Sequence, residues 1–429
     1  MASTKLRILL VGNGGREHCL AWKLVQSPFV EHIYACPGNG GTAGLKNVTN
    51  VTDISADDFV ALVTFAKENQ INFLIPGPEA PLVAGIVDHF RQNAPDIKSF
   101  GPSKAAANLE GSKTYSKNFM KKYNIPTAAY ENFDSYEEAK KYVDLVDHDI
   151  VIKADGLAAG KGVIIPKTKD EAHAALKEIM LDKEFGSAGN KVVIEEFLAG
   201  EECSILSFSD GQTFKSLPAA QDHKQIGDGD TGPMTGGMGT YAPAWIVKAK
   251  EMEEIERTVL KPTLEGMRKE GFPFIGCLFT GFMMTKRGPK VLEYNVRFGD
   301  PEAQSLLPLL ESDLAQILLA CTTESLDQID LKISQSSAAT VILASGGYPG
   351  SYDKGVEMHV KDAPQDVIFF HAGTTLSGSI LKTSGGRVIA STGVASNLGD
   401  AIAKAYEGVE FIDFKGKTYR KDIGQKAFR

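Results

Sequence analysis

The chain has 429 residues, 43% of them hydrophobic, and 54 acidic side chains against 46 basic ones give it a formal charge of −8. That length predicts two to four domains with real cores, and the acidic balance argues against a nucleic-acid binder, whose basic stripe would dominate. No apolar run reaches membrane-spanning length, no signal peptide is evident, and the five cysteines are scattered and never in a metal-type pair, so the sequence reads as a cytoplasmic chain with reduced thiols.

Leu6–Gly12 (LRILLVG) reads as a buried strand running into GNGGREH, closely spaced glycines before a helix expected over 18–26. This is the form of a Rossmann-type phosphate turn. The dinucleotide fingerprint is incomplete, because Gly12 and Gly14 fit but Glu17 stands at the third glycine position. Further apolar runs at 32–35, Phe73–Pro76 and 98–100, with an amphipathic helix over 57–69, predict a parallel sheet of alternating strands and helices. Ligands of such sheets sit at the carboxyl ends of the strands, so the expected site loops are 12–18, 37–42 (PGNGGT) and 76–81 (PGPEAP). The alternative is three tight turns without function; three at one sheet edge favour a ligand crevice.

Gly101-Pro102-Ser103 marks a boundary with Ser103 as a helix cap. The helix expected through 123 carries Lys113 beside Gly111 and Ser112, poor choices for a helix interior. A small unit then starts at NIPTAAY and reaches 194. Inside it, 149–166 (DIVIKADGLAAGKGVIIP) predicts strand–loop–strand: two β-branched runs joined by a loop with Gly156, Gly160 and Gly162. Lys153 precedes the loop and Lys161 lies in it; mobile amides between two cations suit a nucleotide's phosphates. A P-loop is excluded, since Gly156 and Gly160 are one residue too close and Gly162 stands where a magnesium-binding hydroxyl is needed. The alternative is an ordinary hairpin with a basic tip.

Residues 191–198 (KVVIEEFL) read as a strand ending in acidic residues, followed by Gly200, Glu201 and Glu202 and a strand over 203–207. A strand leaving a small lid for a larger domain makes a natural adenine hinge. QDHK at 221–224 opens a long, glycine-rich polar stretch over 226–243, and a loop of that length is more often functional than idle. His223 within it reads as a binding or structural group sooner than as a base. The second chemical centre is 290–304 (KVLEYNVRFGDPEAQ), where strand alternation puts Glu293, Asn295 and Arg297 on one face and Leu292, Tyr294 and Val296 on the other. Same-face neighbours lie roughly 7 Å apart at ~3.3–3.4 Å per residue, so a magnesium ion with oxygen ligands at ~2.0–2.1 Å fits between the first two. From about 331 the pattern turns strand-rich, with a helix over 398–406, and predicts a small α+β domain closing over the centre.

At KADGLAAGKGV and LEYNVRFGDPE the chain strongly resembles the glycinamide ribonucleotide synthetase family of the ATP-grasp superfamily. The likeness runs nearly end to end through GNGGREH, PGNGGT, GPEAPLV, LEGSK, QDHK, TGGMG, GGYPGSY, HAGT and RKDIG. It implies a multidomain α/β and α+β fold: a Rossmann-like N-terminal domain (1–104), an ATP-grasp domain (105–330, with a lid about 124–194) and a small α+β C-terminal domain (331–429). It also implies ATP-dependent ligation of glycine to 5-phosphoribosylamine, giving glycinamide ribonucleotide, ADP and phosphate through glycyl phosphate, in purine biosynthesis. The cofactor would be Mg2+ or Mn2+, the co-substrate ATP and the partners small molecules, with fusion to other purine-pathway enzymes left open.

Carried onto this sequence, the resemblance has Lys113 and Lys153 neutralise the α- and β-phosphates while Gly160, Lys161 and Gly162 close over them. Glu195, Phe197 and Leu198 would line the adenine, Glu202 would take the ribose hydroxyls, and Glu293 and Asn295 would hold the metal. Arg297 and Asp300 would position glycine's carboxylate and amine. Gly12, Asn13, Gly14 and Gly15, with Pro37, Gly38, Asn39 and Gly40 and with Asp222, His223 and Lys224, would take the phosphoribosylamine. Two departures stand out: CLFTGFMM at 277–284 offers no second metal carboxylate, and Met234 stands where relatives often have asparagine. One rival reading is a sister ATP-grasp ligase for another acid or ribonucleotide, against which RFGDPE argues. The other is a nucleotide-binding regulator without catalysis, against which the intact charged positions argue.

Overall fold

Strand Leu6–Gly12 lies at the centre of a five-stranded parallel sheet, flanked by Val30–Pro37 and Phe73–Pro76 and then by Val48–Asn50 and Lys98–Ser99. Its side chains feed two cores alternately, Leu9 and Val11 into one and Ile8 and Leu10 into the other. Burial on both faces is why this strand reads as an unbroken apolar run. The computed structural model describes residues 5–157, 162–184 and 186–428 of the chain. Gly160 and Lys161 therefore lie outside the described residues.

The first helix spans Gly15–Leu24 and starts three residues before the expected 18, because Glu17 reaches back to the amide of Gly14 and closes the helix entrance. Ser103 caps the helix Lys104–Gly111 as expected, its hydroxyl accepting from the Ala106 amide at 3.3 Å. The single helix expected through 123 is two. Ser112 is extended (φ −141°, ψ 114°), and its hydroxyl caps a second helix, Lys113–Lys122, while donating to Asp155 at 3.0 Å. The poor helix residues Gly111 and Ser112 mark that break.

The small unit expected from NIPTAAY onward is a four-stranded antiparallel sheet in the order Tyr130–Phe133, Val192–Glu196, Ile150–Ala154, Val163–Ile164. Two helices, Tyr136–Leu145 and Lys169–Met180, cover it, and Val143, Ile152, Leu176 and Ile194 belong to a core of its own. A second antiparallel sheet follows: Phe214–Ser216, Glu201–Asp210, Ile275–Thr285, Gly288–Asn295.

The stretch expected as a loop over 226–243 holds three short strands. Gln225–Gly227 and Thr231–Met234 form a hairpin, and Gly239–Ala242 pairs with both Gln221–Asp222 and Ser337–Ser345. Glycines interrupt the apolar alternation there, so the strand signal is lost. The C-terminal sheet continues from Ser337–Ser345 through Arg387–Ala395 to Val367–His371, with helix Leu398–Val409 packed on it. Segments on both sides of residue 330 thus share one sheet. Among the described residues no helix is long and apolar enough to cross a membrane.

Candidate active site

Strand Gly288–Asn295 runs antiparallel to Ile275–Thr285, with Glu293 opposite Gly281 and Val291 opposite Phe282. Leu292 is the extra residue of a bulge, so the expected alternation breaks at that point. Its carbonyl turns toward the lid and accepts a hydrogen bond from Lys153 Nζ at 3.2 Å. Beyond the bulge the two faces are as expected. Tyr294, Val296 and Phe298 are buried, and Arg297 Nη2 donates to Asn295 Oδ1 at 3.1 Å.

The side chain of Glu293 is half-buried and makes no hydrogen bond or ion pair among the described residues. Burial works to raise its carboxyl, but Lys224, Lys153, Lys113 and Arg297 together hold it below the usual range. A carboxylate with open lone pairs beside an amide oxygen is the hard-oxygen set that Mg2+ accepts, and the ion keeps several waters or phosphate oxygens as its other ligands. The pair therefore fits the metal. Among the described residues no group of three or more histidine, cysteine, aspartate or glutamate side chains could hold a metal ion.

The lysines of the cleft are held, not loose. Lys153 sits two residues along from Val151, the strand partner of Glu195, and so lies diagonally across from that carboxylate on the same face. Lys153 Nζ is 2.9 Å from Glu195 Oε1, and Lys117 Nζ is 2.8 Å from Oε2. Lys117 also donates to Thr127 Oγ1 at 2.7 Å, and burial pushes its ammonium down to about 8. Glu195 is 2% exposed and spent on two cations, so its side chain is not the adenine wall expected from sequence. Lys117 was missed; the available signal was its position one helical turn after Lys113. Lys113 Nζ donates to the Gly156 carbonyl at 2.9 Å, which ties it to the entrance of the lid loop. Gly162, where the description resumes, accepts from the Ala154 amide at 2.8 Å.

At the hinge, Phe197 is exposed and its amide donates to Asp149 O at 2.9 Å. The half-buried Leu198 follows, with no backbone partner among the described residues, which leaves its N–H and C=O to read a base edge. Glu202 and Lys224 form an ion pair of 2.8 Å at the cleft wall. Asp222 is half-buried beside them, and burial pushes its carboxyl up. His223 faces the other way. Its ring is fully buried and its Nε2 accepts from the Gly424 amide at 3.2 Å. Burial, with Arg420 and Lys426 nearby, pushes it down to about 4. The substrate-binding role expected of His223 is corrected to a neutral anchor for the C-terminal segment.

The glycine turns at the sheet edge are largely filled by the protein itself. Glu17, 1% exposed, accepts from the Gly14 amide at 2.6 Å and from Arg16 Nε at 2.5 Å. It packs so closely on Gly77 that a Cβ there would lie 2.1 Å from its carboxylate. The residue at the third glycine position thus occupies the space a pyrophosphate would need. A Cβ at Gly15 would in turn meet Gln304 Nε2 at 2.5 Å, so that glycine serves packing. Asn39 is equally committed: its amide nitrogen donates to the carbonyls of Asn13, Gly14 and His371, and its oxygen accepts from the amides of Gly41 and Thr42. Gly40 N bonds Thr374 O at 3.2 Å. The side chain of Asn39 and the amide of Gly40 are corrected from ligand groups to fasteners between the N- and C-terminal sheets, and the amide of Gly14 from a ligand group to the partner of Glu17. Asn13 is exposed, and Gly12, Pro37 and Gly38 line the same edge.

Asp300 belongs to that fastening. Its carboxylate accepts from Gln304 Nε2 at 2.9 Å and the Arg16 amide at 3.3 Å, and lies 3.4 Å from Arg387. Arg387, missed from sequence, also donates to the carbonyls of Gly236, Gly237 and Asp300. Asp300 is therefore not open to an amine as expected. Arg297 is gripped by two further carboxylates: Nη2 is 2.9 Å from Glu110 and Nε is 3.3 Å from Glu79. Glu79 lies in the expected site loop 76–81 and Glu110 in LEGSK, but nothing local in either pairs it with Arg297.

Known proteins share the chain's domain order. The family models for phosphoribosylglycinamide synthetase match residues 6–110 (N domain), 111–303 (ATP-grasp (A) domain) and 338–426 (C domain). The phosphoribosylamine–glycine ligase of Agrobacterium fabrum is 48% identical over 98% of this chain and 99% of its own length. A bifunctional purine biosynthetic protein of Pichia angusta is 56% identical over 99% of this chain but only 54% of its own length, so the chain spans about half of that relative. The crystal structure of phosphoribosylamine–glycine ligase from Thermotoga maritima superposes with a TM-score of 0.85 at 34% identity, covering 97% of this chain and 100% of the other. A biotin carboxylase domain from Hydrogenobacter thermophilus, at 14% identity and a TM-score of 0.76, shares the fold alone. With all three domains matched in order and a single-function ligase covered over nearly its whole length, the chain belongs to the phosphoribosylglycinamide synthetase family.

Proposed function

We propose that this chain ligates glycine to 5-phosphoribosylamine at the expense of ATP, in the cytoplasm, as a step of purine biosynthesis. The observation that carries the reading is the line Glu293, Asn295, Arg297, an open carboxylate and an amide oxygen beside a guanidinium, ringed by Lys113, Lys153 and Lys224. ATP would lie with its adenine at Phe197 and Leu198, its ribose by Glu202 and its phosphates between Lys113, Lys153 and the loop that includes Gly160, Lys161 and Gly162. Mg2+ held by Glu293 and Asn295 would supply charge neutralisation at the terminal phosphoryl group. The division into residues 1–104, 105–330 (lid about 124–194) and 331–429 is part of this reading, as is the sheet edge at Gly12, Asn13, Pro37 and Gly38, with Asp222 and Lys224, as the phosphoribosylamine side.

A carboxylate is a poor acyl donor, so one of its oxygens must first become part of a leaving group. Arg297 orients glycine's carboxylate; an oxygen bonds to the γ-phosphorus as the bond from that phosphorus to the β–γ bridging oxygen breaks, releasing ADP. The amine of phosphoribosylamine then attacks the acyl carbon, the C–O bond to phosphate breaks, and the amine's proton is released. No side-chain nucleophile is needed; positioning and fixed charge carry the rate. The test is product analysis with ATP, glycine and freshly generated phosphoribosylamine. Glycinamide ribonucleotide, ADP and phosphate are expected in equal amounts. Nucleotide binding without turnover would leave a regulator, and turnover only with another acid would leave a sister ligase.

A further inference from the structure

Arg297 is clasped by two carboxylates that differ in kind. Glu110 has a side chain only 6% exposed and both its oxygens are spent, one on Arg297 Nη2 and the other on the Val296 amide at 2.7 Å. Glu79 has a side chain 32% exposed, opens helix Glu79–Ala84 at the end of strand Phe73–Pro76, and has Arg297 as its only ion-pair partner among the described residues. The contact is loose: Glu79 Oε2 lies 3.3 Å from Arg297 Nε, and that buried Nε makes no hydrogen bond among the described residues. A buried donor left unsatisfied is an invitation to an acceptor from the ligand. Arg297 would take it from a carboxylate bound beside Asn295.

On the reading that this ligand is glycine, its ammonium sits one methylene from that carboxylate and needs an anion of its own. Asp300 is committed to Gln304, Arg16 and Arg387, and Glu110 is buried and committed. We propose that Glu79 receives the ammonium group of glycine and makes the site selective for an α-amino acid over an acid that lacks the amine. Burial works to raise the Glu79 carboxyl, but Arg297 and Arg16 hold it below the usual range, so it stays anionic for this task.

The test compares glycine with glycolate, which keeps the carboxylate and replaces the ammonium with a neutral hydroxyl, as substrate and competitive inhibitor of wild type, Glu79→Gln and Glu79→Asp. Glu79→Gln is expected to raise the KM for glycine roughly ten- to hundredfold, the worth of a charge-assisted hydrogen bond. The inhibition constant of glycolate should stay the same or fall, because a nearby negative charge has gone, the KM for ATP should not move, and Glu79→Asp should recover part of the loss. Equal weakening of glycine and glycolate would make Glu79 a structural prop for Arg297 and overturn the proposal. So would retention of the glycine preference in Glu79→Gln with its loss in Asp300→Asn. A wild-type enzyme inactive with glycine would instead overturn the ligase reading itself.

Discussion

The ATP cleft and the junction of the N- and C-terminal sheets are both built from glycine-rich segments and charged side chains, yet they use them in opposite ways. In the cleft, carboxylates are spent on fixing lysines: Glu195 holds Lys117 and Lys153, Glu202 holds Lys224, and the cations around Glu293 leave its oxygens open. At the junction the polar groups close on each other. The Asn39 side chain makes five hydrogen bonds, Glu17 fills its own glycine turn, and Asp300 is shared by Arg16, Gln304 and Arg387. Preorganised charge with an open atom is what binding needs; saturated hydrogen bonding is what holds domains in register.

Breaking the open side should give the largest effect. Glu293→Gln keeps the shape and removes the charge, and kcat is expected to fall roughly 10²–10³-fold, the scale for losing one key electrostatic group. Raised magnesium should restore part of it, and the thermal midpoint should change little. A variant that unfolds while its remaining folded fraction works normally would mean that Glu293 is structural.

The junction should fail by acid. His18, whose Nδ1 accepts from the His371 amide at 2.8 Å, and His371 lie at the junction, and His223 lies at the C-terminal segment; all three are held below the ordinary histidine range by burial. A histidine kept neutral in the fold binds fewer protons than in the unfolded chain, so its contribution is complete above about pH 6.5. It is lost as pH falls through the window toward the folded value, about 4 for His223, which alone is worth about 3 kcal/mol. Urea midpoints at pH 7 and pH 5 should show the loss, and His223→Gln should flatten the slope. An unchanged slope in that variant would contradict the burial argument.

The same junction offers a smaller, sharper probe. Asn39→Ala strands three carbonyls and two amides, some of which water can reach, and should cost about 2–3 kcal/mol of stability. The KM for ATP should stay within twofold of wild type, in keeping with additivity for distant sites (about 0.3–0.5 kcal/mol). A change in ATP binding as large as the change in stability would erase the distinction between the two regions.

What the sequence made legible follows the same division. Strands buried on both faces, Leu6–Gly12 and Phe73–Pro76, lie where their apolar runs placed them. Asn295 and Arg297 meet through a hydrogen bond, although the strand ends at Asn295, before Arg297, and neither that end nor the bulge at Leu292 followed from strand period. The strands within 225–242 were hidden because glycines erase the alternation on which a strand is read. The partners that decide between ligand and fastener are distant in the chain: Glu110 is 187 residues from Arg297, and the Arg16 amide is 284 from Asp300. A motif shows which polar groups gather at a strand end, but only the fold shows which are already taken. GNGGREH reads as a phosphate turn and PGNGGT as a site loop for that reason.

The central claim, that the open carboxylate and its ring of cations direct glycine to the γ-phosphate, is tested most directly by the fate of oxygen. Glycine labelled with oxygen-18 in its carboxylate should pass one labelled oxygen to inorganic phosphate for each glycinamide ribonucleotide formed, with ADP as the nucleotide product. Label recovered in AMP, or product formed alongside unlabelled phosphate, would contradict it.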